Sequence, residues 1–224
     1  MQRWANMIMA GALAIAATFA SAACAESLDR SGSLPSARDG LGDASRPASS
    51  RALTAGPAVL APIGWVEFCA RPENDGDCRL ADEPARILRA DARTRRLLAR
   101  VNRNVNDAVA PISDMANYGV EERWTYPDNG RGDCEDYVLL KRKLLIEAGV
   151  PRQALLVTVV REANGDGHAV LTAVTDRGDL VLDNKRDDVR LWSASGYDFI
   201  KRQSAENPNV WVDLRAGAAL LARR

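Results

Sequence analysis

The chain has one histidine, His168, and only four cysteines among its 224 residues. A zinc centre built from histidine and cysteine needs several such ligands close together, so this scarcity disfavours one. Thirty basic residues balance thirty acidic ones, which removes the positive excess typical of nucleic-acid-binding proteins. The sequence also lacks internal repeats and long blocks of one charge. At 46% hydrophobic residues, it has enough apolar content for one folded domain.

The N-terminus carries a short apolar run at residues 7–20, preceded by Arg3 and followed by Ala23-Cys24-Ala25. The run is shorter than the roughly 20 residues that span a bilayer, which disfavours a membrane anchor. A positive charge, an apolar run and a small-residue cleavage site are typical of a signal peptide. We therefore predict that residues 1–25 are a signal peptide and that the mature protein is periplasmic or secreted. Lipidation at Cys24 stays open as an alternative, although Ser21 stands where a large aliphatic residue is usual.

Export affects how the remaining cysteines are interpreted. Cys69 and Cys78 flank a polar loop rich in turn-forming residues, and in an oxidising compartment we predict that they form a disulfide. A metal site at this pair would need two further ligands, which the nearby sequence does not offer. Pairing these two leaves Cys134 as the odd thiol, and an unpaired cysteine in an exported protein is a candidate reactive group.

The order of predicted elements indicates an α+β fold. Residues 26–61 are rich in Ser, Ala, Gly, Arg and Pro without periodicity, which predicts a flexible linker before a domain at residues 62–224. Apolar spacing predicts a helix over about 90–109, and a second helix starts at Asp133 and stops at Gly149. β-rich runs separated by turns at 164–167 and 175–178 then predict two hairpins. Helices followed by hairpins imply helices packed on an antiparallel sheet.

Cys134, His168 and Asp183 follow one another in the order of a thiol, an imidazole and a carboxylate. Cys134 would begin the second helix, where unpaired amides and the helix dipole favour a thiolate and can donate to an oxyanion. His168 begins one predicted strand and Asp183 ends the next, so antiparallel pairing would bring them close. Taken singly, each residue is more often structural, but together they favour a catalytic triad for acyl transfer.

Three acidic residues flank the candidate nucleophile: Asp133, Glu135 and Asp136. Nearby negative charge raises the pKa of a thiol, and the helix dipole contributes only about 0.3–1 kcal/mol against it. Asp133 and Asp136 could act as helix caps, or a hard cation such as calcium could lie among the carboxylates. Solvated acids in the first turn of a helix are equally common, so these interpretations stay open here.

Several segments together carry a family resemblance. They are Val101-Asn102 with Val105-Asn106, Gly132-Asp133-Cys134-Glu135-Asp136-Tyr137 with Lys141, Gly167-His168-Ala169-Val170-Leu171, and Gly178-Asp179-Leu180-Val181-Leu182-Asp183-Asn184. Over roughly residues 63–214, the sequence resembles the bacterial transglutaminase-like cysteine peptidase family. The resemblance implies a papain-like, transglutaminase-type core in which Cys134 is the nucleophile, His168 the base and Asp183 the orienting acid.

The same resemblance implies an activity and its partners. The best-understood relatives are periplasmic proteases that need calcium and cut a large surface adhesin at a pair of alanines, which releases biofilm cells. By position, the calcium ligands map to Asp133 and Glu135, with Asp136 as a candidate third. In those relatives an inner-membrane receptor that senses cyclic di-GMP sequesters the protease. The resulting hypothesis is a calcium-dependent endopeptidase acting on a protein substrate. The alternatives are acyl transfer to an amine, which cross-links proteins, and a non-catalytic binding module of the same fold.

Overall fold

The computed structural model describes residues 52–80 and 84–215. The predicted signal peptide and most of the predicted linker lie outside the described residues. The α-helices are α1 (Ile63–Cys69), α2 (Asp75–Cys78), α3 (Ala92–Ala108), α4 (Asp114–Tyr118) and α5 (Cys134–Glu147). The strands are β1 (Ala58–Val59), β2 (Ala110–Pro111), β3 (Arg131–Gly132), β4 (Leu155–Arg161), β5 (Gly167–Ala173), β6 (Leu180–Asp183), β7 (Arg186–Leu191), β8 (Asp198–Gln203) and β9 (Trp211–Asp213).

Seven strands form one sheet in the order β1-β9-β8-β4-β5-β6-β7, and each neighbouring pair is antiparallel. The two hairpins predicted from the sequence are β4–β5 and β5–β6 at the centre of this sheet. Strand β5 is buried after Gly167 and β6 is buried throughout, so both faces of these strands are covered. Helix α5 packs against β5, and α3 packs against β7 and α5. The predicted α+β class is therefore confirmed.

The two long helices follow from local sequence signals. Helix α3 is capped by Asp91, which accepts a hydrogen bond from the Thr94 amide at 2.8 Å. Its apolar stripe, with Leu98 and Val101 fully buried, faces the core as the spacing predicts. Helix α5 ends before Gly149, which has a φ of 86° and stops the helix. Within residues 52–80 and 84–215, no helix is both long enough and apolar enough to cross a bilayer.

The folded domain starts earlier in the chain than the sequence predicts. Leu53 is buried, and its amide donates to Asp179 at 2.9 Å. Ala58 pairs with Val212, so β1 completes one edge of the sheet. The predicted boundary at residue 61 is therefore too late. Local periodicity cannot reveal a two-residue strand whose partner is a strand near the other end of the domain.

A disulfide and an aromatic cluster fix the first helices. Cys69 and Cys78, the last residues of α1 and α2, are joined by a disulfide. Trp65 of α1 is buried, with its ring centroid 6.2 Å from that of Trp124 and 6.4 Å from that of Trp211. This cluster anchors the start of the domain to its last strand.

Gly64 lies against this cluster, which yields a stability prediction. A Cβ at position 64 would fall 2.2 Å from Cδ1 of the buried Trp124 ring. We expect Gly64→Ala to lower the free energy of unfolding by about 1–3 kcal/mol, because the ring is held by two other tryptophans. Gly76→Ala is the matched control: it is also helical but meets nothing within 4 Å, so it should be neutral or stabilise by up to about 1 kcal/mol. Urea denaturation of both variants checks this, and equal effects would contradict it.

Candidate active site

Cys134 is the first residue of α5 and is half-buried. One residue, Asp133, separates it from β3. A Cβ at Gly132 would fall 2.4 Å from Oδ2 of Asp136, so this approach to the helix requires glycine. Asp133 occupies the N-cap position, as predicted, but its side chain does not cap α5. Instead its Oδ2 accepts a hydrogen bond from the amide of Asp114 at 3.1 Å. The Asp133 carboxylate therefore bonds the start of α4 and not the first turn of α5.

His168 and Asp183 are hydrogen-bonded to each other. His168 is buried at the start of β5, and its Nε2 lies 2.9 Å from Oδ1 of Asp183. Since β5 and β6 pair with Leu171 opposite Leu182, the two residues are diagonal neighbours on adjacent strands. The other ring nitrogen, Nδ1, lies 3.9 Å from Oε1 of Glu162, beyond hydrogen-bonding distance.

The carboxylate of Asp183 is held by donors from three directions. Besides His168, the amide of Lys185 donates to Oδ1 at 3.0 Å and the hydroxyl of Tyr197 donates to Oδ2 at 2.6 Å. Burial alone would raise the pKa of Asp183, but the hydrogen bonds from His168, Tyr197 and Lys185 outweigh it and lower that pKa to about 2. Asp183 is therefore a carboxylate at neutral pH, despite being buried.

Two asparagines of α3 fix the backbone of Asp183. The Asp183 amide donates to Oδ1 of Asn102 at 3.0 Å, and Nδ2 of Asn106 donates to the Asp183 carbonyl at 3.1 Å. Both asparagines lie one turn apart on the same helix face. The two Val-Asn motifs of α3 therefore hold the backbone at the end of β6 by hydrogen bonds.

Cys134 lies against the strand that carries His168. Helix α5 packs on β5, and the Ala169 amide of β5 lowers the pKa of the Cys134 thiol. The Cys134 sulfur is also 3.3 Å from Oε2 of Glu135. Burial and the Glu135 carboxylate raise the pKa of the Cys134 thiol well above its ordinary value, against the opposing effect of the Ala169 amide. In the absence of a compensating charge, the thiol is therefore protonated at neutral pH.

An acidic cluster adjoins the cysteine. One carboxylate oxygen from each of Asp114, Asp133 and Glu135 lies within 4.8 Å of the others. Each of these residues has one buried carboxylate oxygen that lacks a hydrogen-bond partner among the described residues. Burial and the Asp133 carboxylate raise the pKa of Glu135 to about 10. Neighbouring buried carboxylates with unpartnered oxygens are the arrangement that a hard cation stabilises.

Asp136, predicted as a third ligand, lies outside this group of three. Its Oδ1 accepts a hydrogen bond from the Thr125 amide at 2.9 Å, while its Oδ2 is buried without a partner among the described residues. Burial raises the pKa of Asp136 to about 8, and the carboxylates of Asp133 and Asp114 add to this effect. The third member of the cluster is Asp114 instead. Sequence spacing could not indicate this, because Asp114 reaches the cluster from a separate short helix, α4.

Two residues that lie close upstream of Cys134, Trp124 and Asn129, have hydrogen-bond partners of their own. The indole Nε1 of the buried Trp124 donates to Glu122, and Nδ2 of Asn129 donates to Asn117. Trp124 is a core residue rather than a donor in the site. The amides in the first turn of α5 have no intrahelical acceptor and are therefore the candidate donors to an oxyanion at Cys134.

Comparison with known proteins identifies the family. Residues 55–219 match the sequence profile described as bacterial transglutaminase-like cysteine proteinase, BTLCP. The chain belongs to this family. It is therefore a cysteine peptidase, and the resemblance noted from its motifs is confirmed. No curated protein matches the sequence significantly.

Solved structures of LapG from Legionella pneumophila are similar to this family member. The calcium-bound form is 22% identical, with a TM-score of 0.47, over 60% of this chain and 82% of LapG. The EGTA-treated form is 23% identical, with a TM-score of 0.46, over 60% and 81%. A further LapG structure is 25% identical, with a TM-score of 0.44, over 56% and 71%.

A peptidase of this family needs a free thiol. Cys69 and Cys78 are consumed by the disulfide, and Cys134 is the free cysteine among the described residues. It stands at a helix N-terminus beside a strand with a hydrogen-bonded imidazole–carboxylate pair. These are the kinds of group that thiol-dependent acyl transfer requires: a free thiol, an imidazole–carboxylate pair and a helix N-terminus.

Proposed function

We propose that this chain is an exported, calcium-dependent cysteine endopeptidase with Cys134 as nucleophile, His168 as general base and Asp183 as the residue that orients His168. The observation that carries the proposal is the 2.9 Å contact between His168 Nε2 and Asp183 Oδ1, on a strand packed against the helix of Cys134. The order of groups matches the logic of a nucleophile, a base and an orienting acid.

The hydrogen bond to Asp183 decides which ring nitrogen does the chemistry. With Nε2–H donated to a carboxylate, the neutral imidazole keeps its lone pair on Nδ1. Nδ1 takes the proton of the Cys134 thiol as the sulfur bonds to the substrate carbonyl carbon. When the tetrahedral intermediate collapses, the amine leaves with the proton from Nδ1 and the thioester remains.

Hydrolysis of the thioester completes the cycle. Nδ1 removes a proton from water as the water oxygen bonds to the carbonyl carbon, and the carbon–sulfur bond then breaks. The acid product leaves, and the proton on Nδ1 returns to the Cys134 sulfur. In both halves, amides at the start of α5 donate to the oxyanion.

We propose that calcium binds to Asp114, Asp133 and Glu135, with Asp136 beside them. Three carboxylates that converge with unpartnered buried oxygens fit the oxygen ligands that calcium prefers. The bound cation would offset the negative charge beside Cys134, which otherwise raises the pKa of the thiol. The negative charge of these carboxylates beside Cys134 is therefore the reason to propose a cation in the working site.

The family resemblance and the N-terminal sequence suggest where the enzyme acts. Residues 1–25 have the plan of a signal peptide, so the proposed location is periplasmic or extracellular. The proposed substrate is a large cell-surface adhesin with a pair of alanines at the cleavage site. The proposed regulator is an inner-membrane receptor that senses cyclic di-GMP.

The reactivity of Cys134 towards iodoacetamide tests the catalytic assignment without a known substrate. At neutral pH with calcium present, we expect Cys134 to be alkylated, and His168→Ala to slow the reaction at least about tenfold because it removes the proton acceptor. Cys134→Ala should take up no label, which controls for other sites. An alkylation rate unaffected by His168→Ala would contradict the assignment of His168 as base.

A second assay distinguishes cleavage from cross-linking. Purified adhesin fragments that contain paired alanines would be incubated with wild type and with Cys134→Ala. We expect fragments with a free carboxylate from wild type alone. Higher-mass conjugates with added amines would instead indicate acyl transfer.

A further inference from the structure

We propose that Tyr197 is a positioning residue that locks the Asp183 carboxylate and thereby the His168 imidazole. The inference rests on the triad proposed above and adds a residue to which no role was assigned from the sequence. Tyr197 lies just before β8, after Gly196, whose φ of 81° turns the chain back towards the sheet. Its hydroxyl donates to Oδ2 of Asp183 at 2.6 Å.

The two oxygens of Asp183 have separate partners. Oδ1 accepts from His168 Nε2 and from the amide of Lys185, whereas Oδ2 accepts from the Tyr197 hydroxyl. Without the Tyr197 bond, Oδ2 would be a buried anionic oxygen with no hydrogen-bond donor among the described residues. The carboxylate could then rotate towards other donors, and the direction in which Oδ1 faces His168 would be lost.

The ring of Tyr197 also contacts His168 directly. The two ring centroids are 5.5 Å apart at an interplanar angle of 60°. The same ring packs on the hydrophobic cluster that contains Phe199 and Val170, so its place does not depend on the hydroxyl. Tyr197 therefore joins the core of the sheet to both members of the imidazole–carboxylate pair.

The hydroxyl is suited to donate over the working range of pH. Burial and the hydrogen bond to the Asp183 carboxylate raise the pKa of Tyr197 well above its ordinary value. The charged groups around the imidazole–carboxylate pair include Glu162, Lys185, Arg186 and Lys141. Glu162 forms an ion pair with Lys185, whereas Arg186 lies on β7 and Lys141 on α5. Tyr197 remains a neutral donor among them.

Tyr197→Phe isolates the hydroxyl because it keeps the ring. Since His168 is the only histidine, the imidazole nitrogen resonances of the purified, calcium-loaded protein need no assignment. We expect the Nε2–H proton to exchange with water at least about tenfold faster in Tyr197→Phe, because the acceptor is no longer held. Alkylation of Cys134 by iodoacetamide at neutral pH should also slow by about 3- to 30-fold.

Tyr126→Phe is the matched control. The Tyr126 hydroxyl donates to the Asp77 carboxylate at 2.8 Å, so this variant loses an equivalent hydrogen bond away from the triad. Both variants should lose similar stability, but only Tyr197→Phe should change the His168 signal and the alkylation rate. Tyr197→Leu, which also removes the ring, should slow alkylation further than Tyr197→Phe.

The outcomes separate the two proposals. If Tyr197→Phe leaves His168 exchange and alkylation within twofold of wild type while His168→Ala slows alkylation, the role of Tyr197 is refuted and the triad stands. If His168→Ala has no effect on alkylation, the proposed triad fails. A change in His168 exchange that Tyr126→Phe reproduces equally would show only a general loss of stability, and would overturn the positioning role.

Discussion

Chelation of calcium should abolish peptidase activity and lower the melting temperature of the protein by about 5–15 °C. A ligand present at 100 to 1,000 times its Kd stabilises the folded state by about 2.7–4.1 kcal/mol, and a domain of this size shifts by about 2–4 °C for each kcal/mol. The physical basis is the cluster of Asp114, Asp133 and Glu135, in which one buried oxygen of each residue has no hydrogen-bond partner among the described residues. Thermal denaturation with and without EGTA measures this.

Asp114→Asn gives this prediction a sharper form. The amide keeps an oxygen for the Arg123 amide, which donates to Asp114, but it removes one negative charge from the cluster. Burial raises the pKa of Asp114, and the carboxylates of Asp133 and Glu122 add to this effect. We therefore expect Asp114→Asn to be more stable than wild type in EGTA, yet to gain much less stability from added calcium.

Asp128→Asn serves as the charge-matched control, since Asp128 is exposed in a loop. It should respond to calcium as wild type does. Calcium binding measured by titration calorimetry should weaken at least about tenfold in Asp114→Asn and remain unchanged in Asp128→Asn. If Asp114→Asn binds calcium as tightly as wild type, the ion does not lie in this cluster.

Lys141→Met should stabilise the protein by about 2–5 kcal/mol at pH 7. Lys141 is fully buried on α5, and its Nζ has no hydrogen-bond partner within the described residues. Burial lowers the pKa of Lys141 from 10.5 to about 7, although the carboxylates of Asp183 and Asp187 partly offset this. A shift of that size corresponds to a free energy of unfolding that is lower by roughly 5 kcal/mol near pH 7, because Lys141 binds a proton much more favourably in the unfolded chain than in the folded one.

The pH dependence has a definite sign. Between pH 7 and pH 10.5 the unfolded chain binds a proton at Lys141 that the folded state does not bind. This group therefore makes wild type more stable as the pH rises through that window, and it has little further effect below pH 7. The difference in unfolding free energy between Lys141→Met and wild type should be largest near pH 7 and shrink towards pH 10.

Urea denaturation at a series of pH values measures that difference, and it cancels groups common to both proteins. Lys143→Met is the control, because Lys143 lies on the same helix but is only half-buried, over the ring of Tyr126. It should be neutral or slightly destabilising, with no such trend. If Lys141→Met is less stable than wild type throughout, the ammonium is paired and its burial is not a net cost.

Sequence periodicity and turn residues predicted the scaffold of the site. The apolar stripe of α3, the start of α5 at Cys134 and the hairpins β4–β5–β6 are local features, because each depends on residues close together in the chain. The disulfide between Cys69 and Cys78 has the same character, since both cysteines flank one short loop. These elements were predicted with little error.

The parts that sequence could not predict come from distant segments. Asp114 meets Asp133 from a separate helix, and Tyr197 reaches Asp183 from the loop before β8. No period or spacing links such residues, since the folded path of the chain alone brings them together. The role of Asp133 differs for the same reason: its carboxylate bonds the Asp114 amide instead of capping its own helix.

By itself, the sequence determined that Cys134 begins a helix, that His168 and Asp183 lie on neighbouring strands, and that the family is that of a cysteine peptidase. Only the tertiary structure decided which carboxylates converge beside Cys134 and what holds Asp183 in its place. The physical reason is that backbone hydrogen bonding and periodicity act locally. The direction and burial of a side chain are set by the whole packed core.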